Sequence, residues 1–126
     1  MLVDDDEDDQ LIFTDAITEL DHNMECVVAN NGYEAFNQLK SSEDAPPSVI
    51  FLDLNMPIMN GFEFLELLRC MQPLKEIPVV VFTTSNDPID QKRSLEFGVK
   101  EFFTKTSDFT TLKEKLSRML DVSSER

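Results

Sequence analysis

The stretch Val49-Ile50-Phe51-Leu52-Asp53-Leu54-Asn55-Met56-Pro57 decides the fold. Its first four residues form a continuous apolar run. A strand without polar alternation is buried on both faces, which is the condition of a parallel strand covered by helices on either side. Downstream, Asn60 is an N-cap for a helix expected over Gly61 to Met71. Pro78 leads into a second buried run, Val79-Val80-Val81-Phe82. Asp87-Pro88 is a cap followed by proline at the first helical position, and that helix runs to about Phe97 and stops at Gly98. Glu101–Thr104 reads as a fifth strand. Asp108 caps a last helix whose Leu112, Leu116, Met119 and Leu120 share a face.

Upstream, Pro46-Pro47 closes a connection from a short helix marked by Ala35, Phe36 and Leu39. Before it, Glu25–Ala29 reads as a strand ended by the turn-former Asn30-Asn31-Gly32. Leu11, Ile12, Ala16, Ile17 and Leu20 fall at helical spacing, and Met1–Val3 is a short apolar run ahead of them. Five βα units in this order predict a five-stranded, doubly wound parallel sheet with five helices, because each parallel connection needs a crossover. A mixed sheet with Met1–Val3 unpaired is the alternative.

The 126 residues suit one domain, 41% of them are apolar, and the formal net charge is −14. Such acidity repels phosphate backbones and anionic lipid, so direct contact with nucleic acid or membrane is not expected. No apolar run approaches the roughly 20 residues of a membrane span, and the start does not resemble a signal peptide. Cys26 and Cys70 suggest no disulfide framework, and a reducing cytoplasm is the simplest setting.

The chemistry is expected where open α/β sheets bind ligands, outside the carboxyl ends of the strands. Strand one ends in Asp4-Asp5-Asp6, strand three in Asp53, strand four in Thr83-Thr84-Ser85 and strand five in Lys105. Carboxylates gathered in one crevice need a compensating cation, and hard oxygen donors without His or Cys favour Mg²⁺ over zinc. Asp53 as nucleophile, a metal, the Lys105 ammonium and the Thr83 hydroxyl could together hold a phosphoryl group. Taken singly, Asp53 is a turn residue, Lys105 a surface lysine and Thr83-Thr84 strand filler; only their joint position argues for a site. Asp8 and Asp9 read as a solvated face, His22 as a surface residue, and Met56 and Met59 as loop packing.

Four segments in order carry a resemblance: Leu2-Val3-Asp4-Asp5-Asp6; Phe51 to Pro57 with Asn60-Gly61; Pro78 to Thr84; and Phe102-Phe103-Thr104-Lys105. On these, over essentially its whole length, the chain resembles a response-regulator receiver domain of two-component signalling, without an output domain. The resemblance implies strand order 2-1-3-4-5. It implies that Asp53 accepts a phosphoryl group from a histidine kinase or histidine phosphotransfer protein. Asp5, Asp53 and the Asn55 backbone carbonyl would bind Mg²⁺ or Mn²⁺, with Asp4 acting through water. Lys105 matches the family lysine, Thr83 the switch hydroxyl and Phe102 the switch aromatic; Asn55 and Ser85 occupy positions that tune autodephosphorylation. The output face would be helix four, strand five and helix five, meeting a downstream protein target, with homodimerisation through the same face. Thr106 stands where the family usually has proline, as in regulators similar to the stand-alone partners of phytochromes and hybrid kinases, and a trans Lys105–Thr106 bond is expected.

Three other functions compete. An aspartyl-phosphate phosphatase would have a second acid where Asn55 stands. A flavodoxin-like carrier would need a phosphate-binding loop where Asp4-Asp5-Asp6-Glu7 repel phosphate. A phosphate-silent receiver, a pure binding module, would have lost one of the acids or the lysine.

Overall fold

A computed structural model describes residues 1–41, 46–71, 74–105 and 108–124, with side chains as far as residue 120. The elements alternate as β1 Leu2–Val3, α1 Glu7–Leu20, β2 Val28–Ala29, α2 Gly32–Ser41, β3 Ile50–Leu52, α3 Gly61–Arg69, β4 Val79–Thr83, α4 Pro88–Glu96, β5 Glu101–Thr104 and α5 Phe109–Ser124. All five strands are parallel, in the order β2-β1-β3-β4-β5. Leu2 and Val3 pair with both β2 and β3, so the alternative with an unpaired first strand fails.

The apolar runs are buried because their alternate residues feed two cores. Val3, Ile50, Leu52, Val79 and Val81 face Ala35 and Leu39 of α2 and Phe62, Leu65 and Leu68 of α3. Leu2, Phe51, Val80, Phe82 and Phe103 face Phe13, Ala16 and Ile17 of α1 and Leu112, Leu116 and Met119 of α5. Phe13 closes the second core edge-on, 4.9 Å from the Phe51 ring centroid and 6.1 Å from that of Phe82.

The boundaries move where capping chemistry outweighs hydrophobic spacing. Asp6 is not the end of a strand but the N-cap of α1, its side chain accepting from the Asp9 backbone N–H at 3.0 Å. Asn60 is the N-cap expected for α3 and forms a reciprocal capping box with Glu63, but that helix ends at Arg69 rather than Met71. A 3₁₀ turn over Leu74–Glu76, with no forecast in the sequence, follows. The second strand shrinks from Glu25–Ala29 to Val28–Ala29; it lies at the sheet edge with β1 as its single neighbour. Pro88 and Gly98 take the positions read for them, Gly98 with φ +88°.

Ile58 was not singled out by the sequence. A β-branched residue at φ 69°, with 80% of its surface exposed, it stands in the loop between β3 and α3. It buries little there to offset a backbone that L-residues avoid.

Candidate functional site

The parallel ladders continue past the strand ends and aim the site residues at one another. The Asp4 N–H donates to Ala29 O at 3.0 Å, the Asp53 N–H to Val3 O at 2.9 Å and the Lys105 N–H to Thr83 O at 2.6 Å. Asp4, Asp53 and Thr83 are buried, at 2%, 5% and 0% exposure.

Asp53 is held from every side. Its Oδ1 accepts from the Thr83 hydroxyl at 2.9 Å and from the Asn55 N–H at 3.1 Å, and its Oδ2 faces Lys105 Nζ at 3.2 Å. The same ammonium lies 2.8 Å from Asp4 Oδ2 and 2.7 Å from Asp9 Oδ2. Asp4 Oδ1 accepts from the Asp6 N–H at 3.0 Å. Among the described residues no buried side-chain polar atom lacks a partner.

Burial would draw the Lys105 proton affinity down. Hydrogen bonds to Asp4 and Asp9 and the charges of Asp53 and Asp4 outweigh that, and its pKa stands well above the usual lysine value. Asp4 moves up, driven first by burial, with Asp53 adding repulsion and Lys105 only partly offsetting both. One ammonium is thus shared by three carboxylates, and a fourth, Asp5, stands exposed at the mouth. Carboxylate oxygens of Asp4, Asp5 and Asp53 all lie within 4.8 Å of one another. Three hard anionic donors at this spacing suit a small divalent cation. Asp5 and Asp53 line an open cleft of about 510 Å³ with Asp9, Asn55, Thr84 and Lys105, and Asp4 is buried beside it.

The residues expected at the strand ends therefore do converge: Asp4, Asp5, Asp53, Thr83 and Lys105, with Asn55 beside them. Lys105 points at Asp53 rather than into solvent. Thr83, expected as the switch hydroxyl, points inward, its hydroxyl donating to Asp53 itself. Ser85 is engaged elsewhere, its hydroxyl donating to Asp90 Oδ2 at 2.7 Å. Phe102 is half-buried against the α2–α3 core. His22 is exposed, Met56 is buried, Met59 packs on the same core, and both cysteines are free. Asp9 corrects the sequence reading: it is a direct partner of Lys105 rather than part of a solvated face. The signal was the cap at Asp6, which starts α1 early enough to set Asp9 in its first turn beside the strand ends. The Lys105–Thr106 bond lies outside the described residues.

A buried aspartate flanked by acids, a hydroxyl and a lysine, at the carboxyl edge of a sheet ordered 2-1-3-4-5, is the arrangement of a receiver-type signalling module. The sequence pattern of the response regulator receiver domain matches residues 1–117, and the chain belongs to that family. It is 31% identical to a chemotaxis protein CheY homologue of Campylobacter jejuni over 124 residues, covering 98% of this chain and 93% of that one. Among solved structures it resembles the phosphorylated cyanobacterial phytochrome response regulator RcpA, with TM-score 0.85, 30% identity and 94% and 87% of the two chains covered. The Mn²⁺-bound form of response regulator Rcp1 follows at TM-score 0.82 and 29% identity, with 94% and 88% covered. The protein is thus a receiver domain of two-component phosphorelay signalling, and receiver domains are generally signalling modules rather than enzymes. No helix of the described residues is long and apolar enough to cross a membrane.

Proposed function

We propose that Asp53 accepts a phosphoryl group from the phosphohistidine of a histidine kinase or histidine phosphotransfer protein, in a metal-dependent reaction, and that the modification switches a protein-binding surface. The observation that carries this reading is the buried Asp53 carboxylate, met by the Thr83 hydroxyl at 2.9 Å and the Lys105 ammonium at 3.2 Å. An Asp53 oxygen attacks phosphorus; the new O–P bond forms as the P–N bond breaks, and the imidazole nitrogen leaves with the bonding pair. Thr83 and Lys105 stand where charge develops on the phosphoryl oxygens, already oriented, so little reorganisation is needed.

Asp5, Asp53 and the Asn55 carbonyl would hold Mg²⁺ or Mn²⁺ directly, and Asp4, whose Oδ2 is engaged by Lys105, would act through water. The cation supplies neutralisation of the donor's phosphoryl charge. The similarity to a Mn²⁺-bound regulator supports the assignment. Once Thr83 exchanges Asp53 for a phosphoryl oxygen, Phe102 would repack and alter the α4–β5–α5 face presented to a downstream target. Self-catalysed loss of the phosphoryl group, tuned by Asn55 and Ser85, would reset the protein.

Millimolar Mg²⁺ is expected to raise the melting temperature by a few degrees, because the folded state alone presents the gathered carboxylates. EDTA should abolish phosphorylation by acetyl phosphate. Uptake that proceeds undiminished in EDTA would remove the metal from the account. The persistence of all the acids together with Lys105 weighs against a phosphate-silent binding module.

A further inference from the structure

Of the three carboxylates on Lys105, the nearest is not the expected phospho-acceptor. Nζ lies 2.7 Å from Asp9, 2.8 Å from Asp4 and 3.2 Å from Asp53. An ammonium has three donors, and these three acids can take them all. Asp4 and Asp53 cannot readily let go. Both are buried at strand ends, and their second oxygens are tied to the Asp6 N–H and to Thr83 and Asn55. Asp9 differs. It stands on the first turn of α1 with its side chain 36% exposed, so water can replace the lysine as its partner.

We propose that Asp9 is a positioning residue that holds part of the Lys105 ammonium away from Asp53 and so restrains phosphoryl uptake. A phosphoryl group arriving on Asp53 needs one of the three Lys105 donors, and the contact to Asp9 is the one released at least cost. While that contact persists, Lys105 charge is spent on Asp9, and the Asp9 carboxylate adds its own repulsion toward an anionic donor. Both effects slow uptake, and both vanish when the charge is removed with the shape kept. This rests on the assignment of Asp53 as acceptor.

The test is the initial rate of phosphorylation by acetyl phosphate with Mg²⁺, followed by intact mass, for wild type, Asp9→Asn, Asp9→Glu and Asp8→Asn. Asp8 is exposed in the same helical turn, so its variant removes the same formal charge without touching the Lys105 contact. Asp9→Asn is expected to be roughly threefold to fivefold faster than wild type, a modest gain because the pair is partly solvated. Asp9→Glu should return toward the wild-type rate, and Asp8→Asn should give less than half the Asp9→Asn gain. Beryllofluoride, a phosphoryl analogue that undergoes no transfer, should bind Asp9→Asn more tightly by a similar factor. Equal rates for Asp9→Asn and Asp8→Asn, or an Asp9→Asn variant slower than wild type, overturn the inference while leaving Asp53 as acceptor. Wild-type protein that takes up no phosphoryl group overturns that assignment, and this inference with it.

Discussion

Replacing Lys105 by Met is expected to reduce phosphoryl uptake by at least about a hundredfold, the usual cost of removing one preorganised donor from a developing anion. It is also expected to change how stability responds to pH. The Lys105 side chain is 9% exposed and its partners on Asp4 and Asp53 are 3% and 6% exposed, so the variant strands two buried carboxylates. Leaving a buried charge unpaired costs about 3 kcal/mol or more, on the order of 10 °C in melting temperature for a domain of this size.

The direction of the pH effect follows from which state holds the proton more tightly. In the wild type Lys105 has a raised pKa, so its contribution is fully present below the ordinary lysine pKa and is lost only as pH rises through the folded value. Asp4 is raised as well, by burial first, even with Lys105 in place. Without the ammonium its folded pKa climbs further above the unfolded one. The folded variant then binds more protons than the unfolded chain, and stability recovers as pH falls from neutral toward the ordinary carboxylate value. Adding Asp53→Asn to Lys105→Met should recover part of the loss at neutral pH, since one stranded charge is gone. Thermal melts of both variants from neutral pH to about pH 5 read these effects. A Lys105→Met melting temperature equal to the wild type's would show that the ion pairs contribute nothing to stability.

Gly61→Ala should be the most damaging single methyl group near the site. A Cβ there would lie 2.7 Å from Leu54 Cα and 2.8 Å from the Asp53 carbonyl oxygen. Both are backbone atoms of the segment that carries Asp53, so no side-chain rotation relieves the clash. The start of α3 must lift, stretching the Gly61 N–H to Leu54 O bond of 3.0 Å and moving the capped helix end away from the loop. Overpacking of this kind costs about 2–3 kcal/mol, and it should weaken Mg²⁺ binding because Asp53 and Asn55 flank the displaced backbone. At Gly32 the new methyl would meet Met59 Cγ and Phe64 Cβ at 3.0 Å and the Met59 carbonyl oxygen at 3.1 Å, which is less severe. Chemical denaturation of the two alanine variants should rank Gly61→Ala as the more destabilised; the reverse order would place the tight helix–loop contact elsewhere.

The sheet was legible because its strands have no polar face. Runs such as Val49-Ile50-Phe51-Leu52 and Val79-Val80-Val81-Phe82 have few other stable settings than a parallel interior. The gathering of Asp4, Asp5, Asp53, Thr83 and Lys105 was legible for a related reason: polar groups placed directly after such runs meet at one edge of the sheet. What escaped reading depended on caps and on contacts between distant elements. Asp6 and Asp9 lie in one acidic run, and nothing in its composition separates a helix cap from a lysine partner 96 residues away. The place of Thr83 at the end of β4 followed from strand position, but its inward side chain and its bond to Asp53 did not. The second strand and the end of α3 shifted because hydrogen bonds, rather than apolar spacing, terminate them, while the other edge strand kept its bounds at Glu101–Thr104.

The central claim is that Asp53 is the nucleophile. The most direct measurement is intact mass after incubation with acetyl phosphate and Mg²⁺, for wild type and Asp53→Asn. The amide keeps the size of the side chain and the Oδ1 acceptor for Thr83 but removes the attacking charge. The account predicts one added phosphoryl group on the wild type, lost on prolonged incubation without donor, and none on Asp53→Asn. A wild-type level of the same mass gain on Asp53→Asn would contradict it and put the acceptor elsewhere in the acidic cleft.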